Sequence, residues 1–526
     1  ILENNIFGVD INEESVEIAR LSLWLRTAKK GRKLSSLSSN IKVGNSLIDD
    51  PAVAGDLAFN WEKEFPQVFV KGGFDVVVGN PPYVSKTFDK IFKDYLKLNY
   101  ETAEYQLDLY IAFMEKATIL LKDRGIVSFI VPNSWLKNLM FSNCRKYFLD
   151  NLSFNIIIPN LENVFEDASV DTLIYSANKD KVNKNKIEIG LFNQNSYFLK
   201  HTINQDRIYY NDKYIFDVEI DESIKIIFDK IDTKSLSLHE ICDITRGVNP
   251  YDKYRGQSEE VIKNKAYHST YRKNETFIPE LRGKHIDRHI YNWDKRSYIS
   301  YGNWLAAPRE LKYFKGDRIL CRQILSSHLN CCLISNDFII DQSIFIAKPT
   351  IEFKEEYRSE YLVSLLSSKL IAFYFKYKAN EFDALFPKIK IGEFRNLPIA
   401  RLSFSEQGSL SNKSKSITEM LNLELNIREG LLELIISKYS ISKPSTKLQN
   451  WPGLDFRGFL GELKKAKVQL SLGEEADWMT YFTEQKQKAG ALQSEINRID
   501  AEIDRLVYEL YRLSDEEIRI VEGGKG

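Results

Sequence analysis

Along the first 180 residues the apolar positions fall into two kinds of block. "NIFGV" (5–9), "FDVVVG" (74–79), "IVSFIVP" (126–132), "FNIIIP" (154–159) and "DTLIYSANK" (171–179) are short apolar runs without clean polar alternation, and they read as strands. In "NEESVEIARLSLWLRTAKK" (12–30), Val16, Ala19 and Leu23 recur at helical spacing behind an acidic first turn, with Asn12 placed to cap it. "LDLYIAFMEKATILLK" (107–122) predicts a second helix running to Gly125, and 41–43 a further strand ahead of Gly44-Asn45-Ser46. Strands that alternate with helices predict an α/β fold for 1–180. The expected form is a doubly wound, mostly parallel sheet of Rossmann-like type, covered on both faces.

The pattern changes after about residue 180. "KDKVNKNKIEI" (179–189) is rich in lysine and asparagine, and 181–234 reads as a linker. Residues 235–404 predict an α+β domain of short, mixed strands, dense in Tyr, Arg, Asn and Gly. A serine-rich link, "SFSEQGSLSNKSKS" (403–416), leads into a largely helical region, 405–526. There Leu492, Ile496, Ile499, Ile503, Leu506, Leu510 and Leu513 step by four and three, the seam of a helical hairpin or short coiled coil.

The bulk numbers narrow the partners. The 526 residues suit three or so domains at ~150 residues each. Lys+Arg and Asp+Glu both number 73, so a nucleic-acid site must be a local basic surface and not a global field. Five cysteines without a CxxC pair, beside six histidines, argue against a zinc centre or a disulfide framework and for reduced cytoplasmic thiols. No apolar run in the chain reaches the ~18 residues that span a bilayer. The opening "ILENNIFGVD" has no signal-peptide pattern and reads as a fragment or as half of a split protein.

Candidate chemistry collects at strand ends. In open α/β sheets ligands bind beyond the carboxyl ends of the strands, where Asp10, Asn45 and Asn80-Pro81-Pro82-Tyr83 all fall. An ionised Asp10 can accept from both hydroxyls of a ribose, and Asn45 can pair with an adenine edge; the same residues equally suit a helix cap and a turn. The four residues from Asn80 are more pointed. An exocyclic amino group on a base attacks poorly because its lone pair is delocalised into the ring. The Asn80 side-chain oxygen and the Pro81 carbonyl could accept its two hydrogens and free that pair. Pro82 holds Pro81 extended, and Tyr83 offers a stacking face. This is positioning and electrostatic preorganisation, with no strong general base.

With these residues in view, the chain resembles the gamma-type, TaqI-like N6-adenine DNA methyltransferases, including those fused to nucleases in type IIG restriction-modification enzymes. "NPPY" is similar to their catalytic signature, "FGVDIN" (Asp10, Ile11) to their ribose-binding motif and "VGNSLI" (Asn45, Ser46) to the motif at the cofactor adenine. "LDLYIAFMEKATILLKDRGIVSFIVPNSWL" resembles the next block, which implies that Phe113 lines the cofactor pocket. "NVFEDASVDTLIYSANK" resembles the block whose phenylalanine, here Phe165, stacks on the target base opposite Tyr83. The resemblance implies S-adenosylmethionine as methyl donor, adenine flipped out of double-stranded DNA as acceptor, no metal, and a prokaryotic cytoplasmic setting. It also implies a partial methyltransferase domain, because the family's Gly-rich cofactor loop is expected upstream of Ile1, on the same or another polypeptide. "LHEICDITRGVNPYDKYRG" and "FPKIKIGEFRNLPI" resemble the bounds of the family's target recognition domain, within which Arg246, Lys284, Arg288, Arg309 and Arg322 are candidate DNA contacts. Two other readings stay open: a bifunctional endonuclease-methyltransferase with its nuclease upstream, and a non-catalytic DNA specificity subunit. Methylation of a protein glutamine or of RNA by the same four residues fits less well, because 235–526 is a long basic-aromatic and helical addition.

Overall fold

The computed structural model describes residues 2–27, 37–83, 88–103, 108–161, 171–180, 184–193, 196–378 and 388–523. The chain forms two compact units, Ile1–Glu222 and Ser223–Gly526.

In the first unit, β1 (Gly8–Asp10) and β2 (Ile41–Val43) pair in parallel, with α1 (Glu13–Thr27) between them in sequence. Asn12 caps α1 as expected, its Oδ1 accepting from Ser15 N at 3.0 Å. A separate six-stranded sheet comprises β3 (Phe74–Gly79), β4 (Leu121–Pro132), β5 (Ser153–Leu161), β6 (Thr172–Asn178), β7 (Lys186–Asn193) and β8 (Ser196–Asn204), in the order β3-β4-β6-β5-β7-β8. α2 (Leu109–Leu120) leads into β4.

This sheet is mixed, which corrects the mostly parallel expectation. β3/β4 and β5/β7 are parallel, whereas β4/β6, β5/β6 and β7/β8 are antiparallel. Uninterrupted apolar runs report burial, not direction; β6 inserts between β4 and β5 and opposes both. Coverage also differs from expectation, because Val76 and Val78 of β3 are 52% and 75% exposed. The domain boundary expected at 180 falls inside this unit. Residues read as linker form the hairpin β7–β8, with Ile187 and Ile189 fully buried and Lys186 exposed. Its alternation is the signature of a half-buried strand, masked by lysine and asparagine.

An aromatic core of Trp135, Phe148, Phe154, Tyr175 and Phe216 packs on the sheet, with Trp135 and Phe216 edge to face at 5.1 Å. Beside it lies the fully buried Arg145, which donates to the carbonyls of Trp135 (2.8 Å), Asn138 (2.7 Å) and Lys213 (3.0 Å). Burial pulls this guanidinium down to about 10.

The second unit holds two four-stranded sheets. One is built from β9 (Cys242–Arg246), β13 (Arg318–Arg322), β14 (Cys331–Ile334) and β16 (Ile344–Pro349), in the order β9-β16-β13-β14 and wholly antiparallel. The other comprises β10 (His268–Ser269), β11 (Phe277–Leu281), β12 (Tyr298–Ser300) and β15 (Ile339–Ile340), in the order β10-β12-β11-β15. Leu281, Ile299, Leu320, Ile340, Ile344 and Ile346 form their shared core.

Downstream, α3 (Gly408–Tyr439) and α4 (Leu472–Tyr511) make a long helical hairpin. Its antiparallel sense shows in the ion pairs Lys413–Glu502 and Lys438–Glu474, one near each end. The buried positions Ile496, Ile499, Ile503, Val507 and Tyr511 drift off the predicted seam. Leu506 and Leu510 are half-buried instead, because past Ile499 the buried stripe steps by four residues to Ile503, Val507 and Tyr511. Among the described residues no helix is long and apolar enough to cross a membrane.

Candidate active site

Asp10 is the last residue of β1 and is exposed. Its Oδ1 accepts from Asn12 N at 2.8 Å, which leaves Oδ2 open at the start of α1. The Asp10 carbonyl accepts from Gly44 N at 2.9 Å, so Asp10 and the turn after β2 are joined directly. Gly44 is required there: a Cβ at that position would lie 2.4 Å from the Phe59 ring.

Asn45 follows. Its backbone amide donates to Leu57 O at 2.6 Å and its Oδ1 accepts from Leu47 N at 3.0 Å. The acceptor of this side chain is therefore used locally in an Asx turn, and its amide NH2 is the free edge. Ser46 contributes its carbonyl to Trp61 Nε1 at 3.0 Å. Ile11 is exposed beside Asp10. Leu47 and Ile48 then bury themselves with Leu96, Tyr100 and Ala112, and the Tyr100 hydroxyl donates to Leu47 O at 2.6 Å. Asp49 extends the network, accepting from the Tyr95 hydroxyl at 2.6 Å and from Asn60 Nδ2 at 3.1 Å. The Tyr95 bond holds Asp49 below its ordinary value, while burial and Asp49 push Tyr95 up to about 12.

The third strand end is β3. Asn80 is exposed just beyond it, Pro81 is buried, Pro82 is exposed and Tyr83 is half-buried. The Tyr83 hydroxyl donates to Ile130 O of β4 at 3.1 Å, and its ring meets Tyr110 edge to face at 6.3 Å. Burial raises the Tyr83 phenol.

The first turns of α2 join these two regions. Leu109 and Phe113 pack with Leu47 and Ile48, whereas Tyr110 and again Phe113 belong to the core on which Tyr83 packs. The sequence reading did not single out Tyr110; its signal was the three-residue spacing to Phe113, which places both on one helix face. Phe165 lies outside the described residues.

The candidate arginines and lysine of the second unit have different fates. Arg246 ends β9 above the Phe345 ring, 5.8 Å from its centre. Arg322 ends β13 and is half-buried. Arg309 is exposed at a left-handed φ of 64°. Lys284 pairs with Asp294 at 2.7 Å. Arg288 is not a surface cation: it donates to Ser367 O at 2.8 Å and is ion-paired to Asp500 of α4.

Residues 4–165 match the family described as Eco57I restriction-modification methylase, 278–399 the TaqI-like C-terminal specificity domain, and 403–507 a domain of unknown function, DUF8810. RM.MjaORFECS2P of Methanocaldococcus jannaschii is 25% identical over 363 residues, covering 65% of this chain and 28% of the relative. The type II restriction enzyme and methyltransferase RM.Eco57I of Escherichia coli is 26% identical over 253 residues, 44% of this chain and 25% of the relative. The chain thus spans about a quarter of the length of these curated relatives. In fold it is similar to the type IIL restriction-modification enzyme MmeI, solved in complex with DNA, with a TM-score of 0.51 at 13% identity over 97% of this chain and 66% of that one. The chain is thus similar to type II restriction-modification enzymes and methyltransferases, through an Eco57I-like methylase segment at 4–165 and a TaqI-like specificity segment at 278–399.

Proposed function

We propose that this chain transfers a methyl group from S-adenosylmethionine to N6 of an adenine flipped out of duplex DNA, at a site selected by the second unit. The observation that carries the reading is Asn80-Pro81-Pro82-Tyr83 at the mouth of β3, with Asn80 exposed and Tyr83 anchored to β4. Asp10 and Asn45 fit the cofactor. A carboxylate with one open oxygen suits the ribose hydroxyls, and the free Asn45 amide suits an acceptor on the adenine ring. Phe113 lines the apolar wall between this turn and Tyr83.

S-adenosylmethionine, when bound, supplies an electrophilic sulfonium methyl. The Asn80 Oδ1 and the Pro81 carbonyl accept the two amino hydrogens of the target adenine, draw its nitrogen toward tetrahedral geometry and aim the lone pair. Tyr83 stacks on the extruded base, and Phe165 is proposed for its other face. Arg246, Lys284, Arg309 and Arg322 are proposed to contact DNA.

We propose further that a glycine-rich cofactor loop is supplied by polypeptide outside 1–526. In support, Ile11, Ile18, Leu21, Val76 and Val78 are exposed on β1's trailing turn, α1 and β3, apolar side chains that added polypeptide would cover. Such a segment could also carry a nuclease.

The test is incubation of the chain, alone and with a polypeptide carrying a glycine-rich cofactor loop, with isotopically labelled S-adenosylmethionine and duplex DNA, followed by nucleoside mass spectrometry. N6-methyladenine in either mixture supports the reading. Cofactor binding measured by calorimetry, with only another base or no base labelled, refutes it.

A further inference from the structure

Within the second unit, a buried hydrogen-bond chain ends on an arginine that its surrounding sequence does not set apart. Glu280, near the end of β11, is fully buried, and both of its carboxylate oxygens are engaged. Oε1 lies 3.2 Å from His268 Nε2, and Oε2 accepts from Arg282 Nε at 2.5 Å. His268 Nδ1 lies 2.8 Å from the Tyr251 hydroxyl, whose oxygen accepts from Tyr267 N at 3.0 Å. The Tyr251 and Tyr267 rings stack at 5.4 Å, only 6° from parallel. One proton arrangement pairs every member: Tyr251 donates to Nδ1 and Nε2–H donates to Glu280.

A carboxylate taken out of water is costly unless paired. Its counter-charge here, Arg282, has a side chain 36% exposed. Nε is tied down, and the two Nη groups carry no hydrogen bond to any described residue. The guanidinium is thus fixed along one edge and presents a two-donor fork on the other.

The place of this fork in the fold is as informative as its aim. Arg246 and Arg322 end β9 and β13 at the same edge of their sheet, paired with Phe345 and Ile344, the first two residues of β16. Gly283, next to Arg282, donates its amide to Ser343 Oγ at 2.9 Å, and a Cβ there would lie 3.7 Å from Arg322 Cγ. Gly247, next to Arg246, donates to Ile344 O at 3.1 Å and sits so close that a Cβ would lie 2.1 Å from Ile340 O. Three arginines from three strand ends therefore surround the turn at 341–343. Phosphate contacts tolerate a flexible cation. A base edge demands fixed donors, and a buried carboxylate that locks Nε provides them.

We propose that Arg282, held by the buried Glu280, is a base-reading residue whose Nη fork takes the O6 and N7 acceptors of a guanine in the major groove. This rests on the reading of 278–399 as a DNA specificity segment. The test is a binding selection by the full chain from a randomised duplex library, run with wild type, Arg282→Ala, Arg282→Lys and Glu280→Gln. Wild type is expected to enrich a motif containing a G·C pair. Both Arg282 variants should lose preference at one such position, by roughly 5- to 150-fold, with the other positions kept. Glu280→Gln, which keeps the shape but removes the charge, should lose part of it. Arg282→Lys retains the positive charge and carries the test if the alanine variant fails to fold. An unchanged motif overturns the proposal. So does uniform weakening on all sequences with a shallower salt dependence, the mark of a phosphate contact. A wild-type chain that enriches no motif overturns the underlying specificity reading, and this inference with it.

Discussion

Arg288 offers the sharpest test of how the second unit uses its cations. The side chain is 17% exposed and donates from Nε to Ser367 O at 2.8 Å, while Nη1 pairs with Asp500, itself 25% exposed. Arg288→Ala would leave the Ser367 carbonyl without this donor and Asp500 without its cation. Breaking a fully buried pair by removing one partner costs ~3–5 kcal/mol; the partial exposure of Asp500 admits water and lowers this to ~2–3 kcal/mol. In a unit of this size about 1 kcal/mol moves the midpoint by ~2 °C, so the affected transition should fall by ~4–6 °C. Differential scanning calorimetry on the full chain reads this directly. Asp500→Asn alone and combined with Arg288→Ala should show coupling of ~1 kcal/mol or more. DNA affinity measured against salt supplies the second arm. Arg288→Ala should keep the wild-type slope, whereas a phosphate-contacting cation would lower it by about one. A variant that melts like wild type but loses a unit of salt slope refutes the structural assignment and returns Arg288 to the DNA surface.

Asn80→Ala is expected to reduce methyl transfer ~100-fold or more, measured in single turnover, with DNA affinity nearly unchanged, because it removes an acceptor aimed at the reacting amino group; wild-type transfer would defeat that role. Asp10→Ala should weaken S-adenosylmethionine binding ~10- to 100-fold by calorimetry, the scale of charge-assisted hydrogen bonds to a diol; unchanged affinity removes Asp10 from the cofactor site. Burial holds the His289 imidazole down to about 3, with Arg288 and His328 pushing the same way. The unfolded chain, titrating near ~6.5, therefore takes up the proton first. Its stabilising contribution is present above ~6.5 and is lost as the pH falls toward the folded value, amounting to about 2 kcal/mol by pH 5. Urea midpoints of His289→Gln should fall less steeply between pH 7 and 5 than those of wild type; equal slopes refute the assignment.

Those features of the fold that depend on neighbouring residues were legible. The cap at Asn12, the strand ends at Asp10 and Gly79 and the body of the helix expected over 107–122 follow from turn chemistry and periodicity, and the structure places them there; the helix does not run on to Gly125, because it ends at Leu120 and β4 begins at Leu121. Strand direction was not legible, because an apolar run such as "FNIIIP" packs equally well either way, and only its partner decides. The β7–β8 hairpin was hidden for another reason. Lys186 and Glu188 occupy the solvent side of a strand whose Ile187 and Ile189 are buried, and the lysine- and asparagine-rich composition masked that period of two.

The same division runs through the functional residues. Asn80, Asp10 and Asn45 could be named because each sits at a strand end, a position set locally. The cations of the specificity segment could not be ranked in that way. Arg282 and Arg288 lie six residues apart in "LRGKHIDRHI" and share the same local texture. One faces a carboxylate two residues back that leaves its fork open; the other is captured by Asp500, 212 residues downstream. A basic, aromatic-rich stretch counts the available charge, but long-range packing decides which charges remain free to meet a nucleic acid. The buried Glu280 is what singles out Arg282 as the proposed base reader, and the closing helical hairpin, by taking up Arg288, helps set which cations the specificity segment can present.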